Sequence, residues 1–217
     1  MGLNPRASRA SRRGALLIGL HFRVPLPLGA TPWQPGRKVF SPADYWETRK
    51  IVKALAKIDG PCYIRVNRND VPTVTEEGDA FEFGKVRKMR DGSDVVIYAT
   101  GFMVYQSLEA AKLLEAEGVS AKVVNVSTIK PLDTEGIAAA AKGMKGAVTV
   151  EEASVIGGLG SAVCEALAES GPQSRVKVLR MGIPDCFGTS AQQYEELLTL
   201  YHLTPENIAA KAKAALR

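Results

Sequence analysis

From Val95 to the end of the chain, short β-branched runs alternate with stretches of helical period, and this confines the chain to one architecture. Residues 95–100, 123–126, 147–150 and 176–179 read as buried strands. Between the first two, Val104, Leu108, Ala111 and Leu114 fall on one helical face, entered from Gly101 and closed by Gly118. Asp133 is placed to cap a helix carrying Ile137, and Gly157-Gly158-Leu159-Gly160 enters another. Ser190 with Gln193 forms a capping-box pattern, and Thr204 before Pro205 caps the final helix. Strands that return through helices run parallel with right-handed crossovers, and both faces of the sheet are covered. The predicted fold is therefore α/β, a mainly parallel sheet with helices on both faces. Residues 83–88 are expected to add an edge strand.

Upstream lies one strand–helix–strand unit. Val39 and Phe40 end a strand; Ser41 reads as cap and Pro42 as the first helical residue. The helix is expected to run to about Lys57, with Ile51, Leu55 and Ile58 at spacings of four and three, and Asp59-Gly60-Pro61 stops it. Residues 62–66 follow as a strand. The chain thus divides into an arm over 1–34, a partial α/β domain over 35–72, a linker over 73–82 and a second α/β domain over 83–217. The last has the length to fold alone. A single strand–helix–strand unit cannot cover both faces of its own sheet, so an apolar patch is expected around Ile51 and Leu55.

Charge separates the arm from the fold. Seven bases, from Arg6 to Lys38, precede the first acid, Asp44, which leaves 21 of the 28 bases against all 23 acids. The basic excess belongs to the arm, and without an aromatic platform it does not make a nucleic-acid-binding module. The arm has no sustained period and is expected to be poorly ordered. Its Arg- and Ser-rich, acid-free composition is that of an organellar transit segment; a mis-assigned start or a truncated gene is favoured over it. No apolar run is long enough to cross a bilayer. Cys62, Cys164 and Cys186 are odd in number and far apart, as expected of buried thiols in a reduced, cytoplasmic setting. The two histidines, His21 and His202, have no ligand-spaced partners, which argues against zinc.

Four places carry potential chemistry. Gly157 to Gly160 open a helix and so resemble an anion cradle, but no lysine follows; a tight turn with close helix–sheet packing is the favoured reading. Glu151-Glu152 close a strand, where paired acids serve in acid/base work or order an interface or loop; the second role is favoured. Arg65 and Arg68 leave the strand over 62–66, at the sheet end where ligands of open α/β folds collect. A guanidinium there grips phosphate bidentately or, alternatively, pairs with a surface acid. His202 follows a helix and reads as a surface residue.

The order of several segments then adds a resemblance. Pro35-Gly36-Arg37-Lys38-Val39 with Pro42-Ala43-Asp44, Asp59-Gly60-Pro61-Cys62-Tyr63-Ile64-Arg65, Lys130-Pro131-Leu132-Asp133, Val150-Glu151-Glu152, and Gly182-Ile183-Pro184-Asp185 with Phe187-Gly188 resemble the transketolase family. The resemblance covers Pro35 to Arg217 and is nearest to the C-terminal subunit of a split transketolase. It implies a transketolase C-terminal domain preceded by part of the pyrimidine-binding domain. It also implies thiamine diphosphate and magnesium as cofactors, a phosphosugar substrate, and two-carbon ketol transfer. The segments that hold the diphosphate and metal, and the glutamate that activates the cofactor, have no match here. The resemblance therefore implies a partner, an N-terminal transketolase subunit or a second copy of the chain, and an isolated chain without activity. Arg68, with Val71-Pro72 after it, falls where the family binds the sugar phosphate. A non-catalytic dimerisation or assembly module, deoxyxylulose-phosphate synthase and the beta subunit of 2-oxoacid dehydrogenases are the alternatives.

Overall fold

The computed structural model describes residues 16–20 and 35–217. In chain order the elements are β1 (Leu16–Leu20), β2 (Lys38–Phe40), α1 (Tyr45–Leu55), β3 (Cys62–Val66), β4 (Arg87–Arg90) and β5 (Val95–Ala99). Then follow α2 (Met103–Ala116), β6 (Ala121–Asn125), β7 (Thr128–Lys130), α3 (Thr134–Ala141) and β8 (Gly146–Ser154). The last are α4 (Leu159–Glu169), β9 (Lys177–Ile183), α5 (Tyr194–Leu200) and α6 (Pro205–Ala215).

The larger sheet has the order β4-β6-β5-β8-β9. Every pair in it is parallel except β4–β6, so the expected edge strand exists, a few residues later than its pattern suggests. Strand alternation divides the core in two. Val95, Ile97 and Ala99 of β5 face the layer of α2, α5 and α6, while Val96 and Tyr98 face that of α3 and α4. Fully buried β-branched side chains on both faces are what a parallel sheet between two helical layers requires. Tyr98 keeps its one polar atom satisfied by donating to the Ile137 carbonyl at 2.7 Å.

The smaller sheet has the order β1-β3-β2-β7. β1 and β2 flank β3 in parallel. β7, which belongs to the second half of the chain, pairs antiparallel with β2. The two halves thus share a sheet, and they share a core as well: Val39 and Tyr63 pack with Val124, Val126 and Ile129. The strand over Leu16–Leu20 lies inside the arm, where no regular period is present in the sequence; its partner β3 supplies the ladder that the local pattern does not announce. The rest of the expectation for residues 1–34 falls outside the described residues.

Several local expectations are corrected. Ser41 does not cap α1. Its N–H donates to the Ser127 carbonyl at 2.9 Å and its carbonyl accepts from Gly101 N–H at 3.2 Å, so it is docked on the other half. The cap is Asp44, whose Oδ1 accepts from Glu47 N–H at 3.0 Å. The patch expected at Ile51 and Leu55 is closed: both are buried with Phe40, Cys62 and Ile64, and Phe81 packs over them. The large apolar side chains that remain exposed on α1 are Tyr45 and Val52. Ser190 makes no capping box, since α5 starts at Tyr194 behind Gln193 with no side-chain cap. Asp133 and Thr204 do cap α3 and α6. Of the thiols, Cys62 is buried, but Cys164 is half-buried and Cys186 exposed.

Candidate functional site

The carboxyl ends of β3 and β8 meet, and the polar residues singled out in the sequence gather around that junction. Arg65 sits on β3, an interior strand of the smaller sheet, and is only 7 % exposed. Its Nη2 donates to the Glu152 carbonyl and lies 3.8 Å from the Glu152 carboxylate. Arg65 is therefore a buried tie between the halves, and not a free surface guanidinium. A buried guanidinium needs such acceptors, because desolvation without them is costly.

Glu151 and Glu152, adjacent on β8, point to opposite faces and do different work. Glu151 is fully buried and caps α4: one carboxylate oxygen accepts Leu159 N–H and the other Gly160 N–H, both at 2.8 Å. Burial pushes its carboxyl up to about 7, against the two amides and the charges of Arg65 and Arg180. Gly158 is where this carboxylate needs space, since a Cβ there would collide with Glu151 Oε2. Gly160 is hemmed in likewise by Thr149 Oγ1 at 2.7 Å. The glycines thus serve close packing around a carboxylate that fills the helix N-terminus, which leaves no anion cradle. Arg180 holds the following turn, with Nη1 donating to the Val155 carbonyl at 2.8 Å and lying 3.2 Å from Ser161 Oγ.

Glu152 faces the junction. Tyr194, at the start of α5, packs its ring against Phe102 with centroids 5.4 Å apart. Its hydroxyl faces Glu152 and Asn67, and burial first, then the Glu152 charge, push that hydroxyl above its ordinary range. Asn67 Nδ2 and the Tyr194 hydroxyl are both buried, and neither completes a hydrogen bond of normal geometry.

Arg68 lies just past β3, in an exposed bend. Asn67 Oδ1 accepts from Asn69 N–H at 3.1 Å across it. The structure thus separates the two arginines named from the sequence: Arg65 is internal, Arg68 outward at the strand end. Sequence reading missed Asn67 and Tyr194. The Asn67-Arg68-Asn69 spacing carried the signal for the turn; nothing local marked Tyr194, which arrives from far along the chain. His202 is exposed in the left-handed turn between α5 and α6, with φ 56°, and belongs to no site.

Among the described residues, no three histidine, cysteine, aspartate or glutamate side chains come together to hold a metal. None of the described helices is long and apolar enough to cross a membrane.

Comparison with known proteins decides the family. The transketolase C-terminal domain family matches residues 84–208, more than half of the chain. This chain belongs to the transketolase family. A putative transketolase C-terminal section from Methanocaldococcus jannaschii is 41% identical over 179 residues, covering 82% of this chain and 55% of that protein. A 6-deoxy-6-sulfo-D-fructose transketolase subunit from a Clostridium species is 44% identical over 154 residues, covering 71% of this chain and 47% of that one. A 1-deoxy-D-xylulose-5-phosphate synthase from Gloeobacter violaceus is 41% identical over 186 residues, 84% of this chain but 29% of that enzyme. Among solved structures, a split-gene transketolase described as an inactive beta4 tetramer superposes with a TM-score of 0.80 at 43% identity. That likeness covers 87% of this chain and 60% of the other. The chain spans about half the length of the first two relatives. The expected fold class holds: α/β, with mixed sheets and helices that match the transketolase C-terminal domain.

Proposed function

We propose that this chain is the C-terminal part of a two-subunit, thiamine diphosphate-dependent transketolase, which moves a two-carbon ketol unit between sugar phosphates. The observation that carries the reading is Arg68. It is exposed at the carboxyl end of β3, an interior strand of the smaller sheet, in a turn tied back by Asn67. That is where an open α/β sheet binds ligands and where a planar fork of donors suits a phosphate. Relatives named as transketolase subunits support the need for a second chain. The cofactor supplies the carbanion chemistry of the reaction. Among the described residues, no three carboxylate, histidine or cysteine side chains gather to hold a metal. The partner supplies that site in this reading, and this chain supplies the phosphosugar end of the cleft.

The test mixes the chain with the N-terminal subunit of a split transketolase. Retention of thiamine diphosphate and ketol transfer are expected only in the mixture. Arg68→Ala is expected to raise the Michaelis constant for phosphorylated substrates roughly ten- to a hundred-fold, the effect of losing a charge-assisted bond. Arg68→Lys recovers part of it, keeping the charge without the fork. An unphosphorylated two-carbon donor is expected to be much less affected. Turnover by the chain alone would overturn the division of labour. Equal losses for phosphorylated and unphosphorylated substrates would remove Arg68 from the substrate site. A mixture that assembles without cofactor or turnover would favour a purely structural assembly module.

A further inference from the structure

We infer that Glu151 and Thr149 form a proton-operated clasp on the first turn of α4, independent of the proposed activity. Ionised, Glu151 holds two amides of that turn. Protonated, it holds one and donates its O–H to the Thr149 hydroxyl. Leu159 and Gly160 are the first two residues of α4, so their amides have no partner within the helix. Each takes one Glu151 oxygen, Leu159 N–H on Oε2 and Gly160 N–H on Oε1, both at 2.8 Å. With both oxygens engaged as acceptors, a proton added to either one displaces an amide. Thr149 lies two residues before Glu151 on β8, so the two side chains share a face of the sheet. Thr149 is fully buried, and its Oγ1 has no hydrogen-bond partner. Both side chains border Gly160, where a Cβ would stand 2.7 Å from Thr149 Oγ1. An unfilled acceptor beside a buried carboxyl is where a proton on Oε1 finds its bond, and Gly160 N–H is then the amide released.

The surroundings put the exchange near neutrality. β3 and β9 bring two cations to the carboxyl, Arg65 and Arg180, which favour the ionised form; burial outweighs them and pushes the group up to about 7. On α4, Cys164 stands within the fields of Arg180 and Glu165. On β8, Glu152 points to the opposite face, toward Tyr194 of α5. Ionisation tightens the entry to α4 while the fold as a whole loses stability, because desolvating the carboxylate outweighs the second cap bond. Arg180 also donates to the Val155 carbonyl in the turn after β8, and that turn carries the exposed Ile156. The clasp thus sets how firmly the chain is held where β8 passes into α4.

The experiment uses the full chain, with the proton as the probe. The Glu151 carboxyl carbon is followed by 13C NMR from about pH 5 to about pH 8.5, a range that spans both protonation states. Hydrogen exchange of the Leu159 and Gly160 amides is measured alongside and corrected for the intrinsic rate. Ile97, in the middle of β5, reports global opening and serves as the reference. As Glu151 takes up its proton, Gly160 is expected to lose protection relative to Ile97 roughly three- to ten-fold, the usual range for one lost hydrogen bond. Leu159 is expected to change far less. Thr149→Val, which keeps the shape and removes the acceptor, is expected to lower the Glu151 midpoint by roughly half a unit to one unit. Glu151→Gln, fixed in the neutral form, is expected to hold Gly160 at its low level of protection at every pH. An unchanged midpoint in Thr149→Val overturns the clasp, and so does a raised one, which would show the hydroxyl serving the ionised form. Equal protection of Gly160 at both ends of the titration overturns it as well. Should Glu151→Gln fail to fold, the Thr149→Val midpoint decides.

Discussion

Asp44 and Thr75 fasten the start of α1 to the segment that joins the two halves. Thr75 Oγ1 donates to Asp44 Oδ1 at 2.7 Å, and Asp44 Oδ2 accepts the Val74 and Thr75 amides at 2.7 and 2.6 Å. With the Glu47 amide, one buried carboxylate satisfies four donors. The segment expected to be a plain linker is therefore ordered by the helix cap before it.

Asp44→Ala should destabilise the protein by roughly 3 kcal/mol, because it strands several buried amides at once and not merely a cap. Thermal unfolding should fall by about 5–10 °C for a chain of this size. Thr75→Val, which removes a single donor and leaves its amide bonded, should cost far less. Equal shifts for both variants would mean that the carboxylate does not organise the segment.

Stability should fall as pH rises from about 4.5 to about 7. Glu151 is raised from 4.5 to about 7, chiefly by burial, so in that window the folded state holds a proton that the unfolded chain releases. Glu47 is raised too, again chiefly by burial, and acts in the same direction. Asp79, Asp94 and Asp133 are lowered, so their contributions are already complete above the ordinary aspartate range and do not oppose this slope. The Glu151 contribution is bounded by roughly 3 kcal/mol. Urea unfolding at pH 5 and pH 7.5 should show wild type losing stability between them. Glu151→Gln should be less stable at both values, through the mismatched amide, but with a shallower slope. An identical slope in the variant would assign the effect elsewhere.

Gly158→Ala should cost about 2 kcal/mol or more, since its Cβ has no room beside Glu151 Oε2 and sits 2.7 Å from the Ser154 carbonyl. Gly188→Ala is the matched control, because a Cβ there meets nothing within 4 Å. Its melting temperature should stay within a degree or so of wild type. If Gly158→Ala melts like the control, the carboxylate cap of α4 is not the packing constraint described.

A chain beginning at Phe83 should still melt cooperatively, but at lower temperature and with apolar dye binding that the full chain lacks. It loses β2, which pairs with β7, and it uncovers Val124, Val126 and Ile129. It also leaves Asn125 Nδ2 without its acceptor, Glu47 Oε1, at 2.8 Å. Full-chain stability in the shortened form would show that the two halves are energetically independent.

The alternation of apolar runs determined the α/β class, the parallel sheet and most element positions, because the periods of 2 and 3.6 are local properties of the backbone. Gly118, Asp133 and Thr204 were legible for the same reason: each acts on residues within a turn of itself. Arg68 was legible as a strand-end residue. The tertiary structure decided the rest. Ser41 and Asp44 both suit a helix cap, and only the Ser127 and Gly101 backbone groups waiting beside Ser41 choose between them. Arg65 looked like a surface cation until β8 brought the Glu152 carbonyl to it. β1 has no partner until β3 is in place, and Ile51 and Leu55 are covered by Phe81 from beyond the first unit. Each of these depends on contacts between segments far apart in the chain, where burial and the need to satisfy every buried polar group override the local pattern.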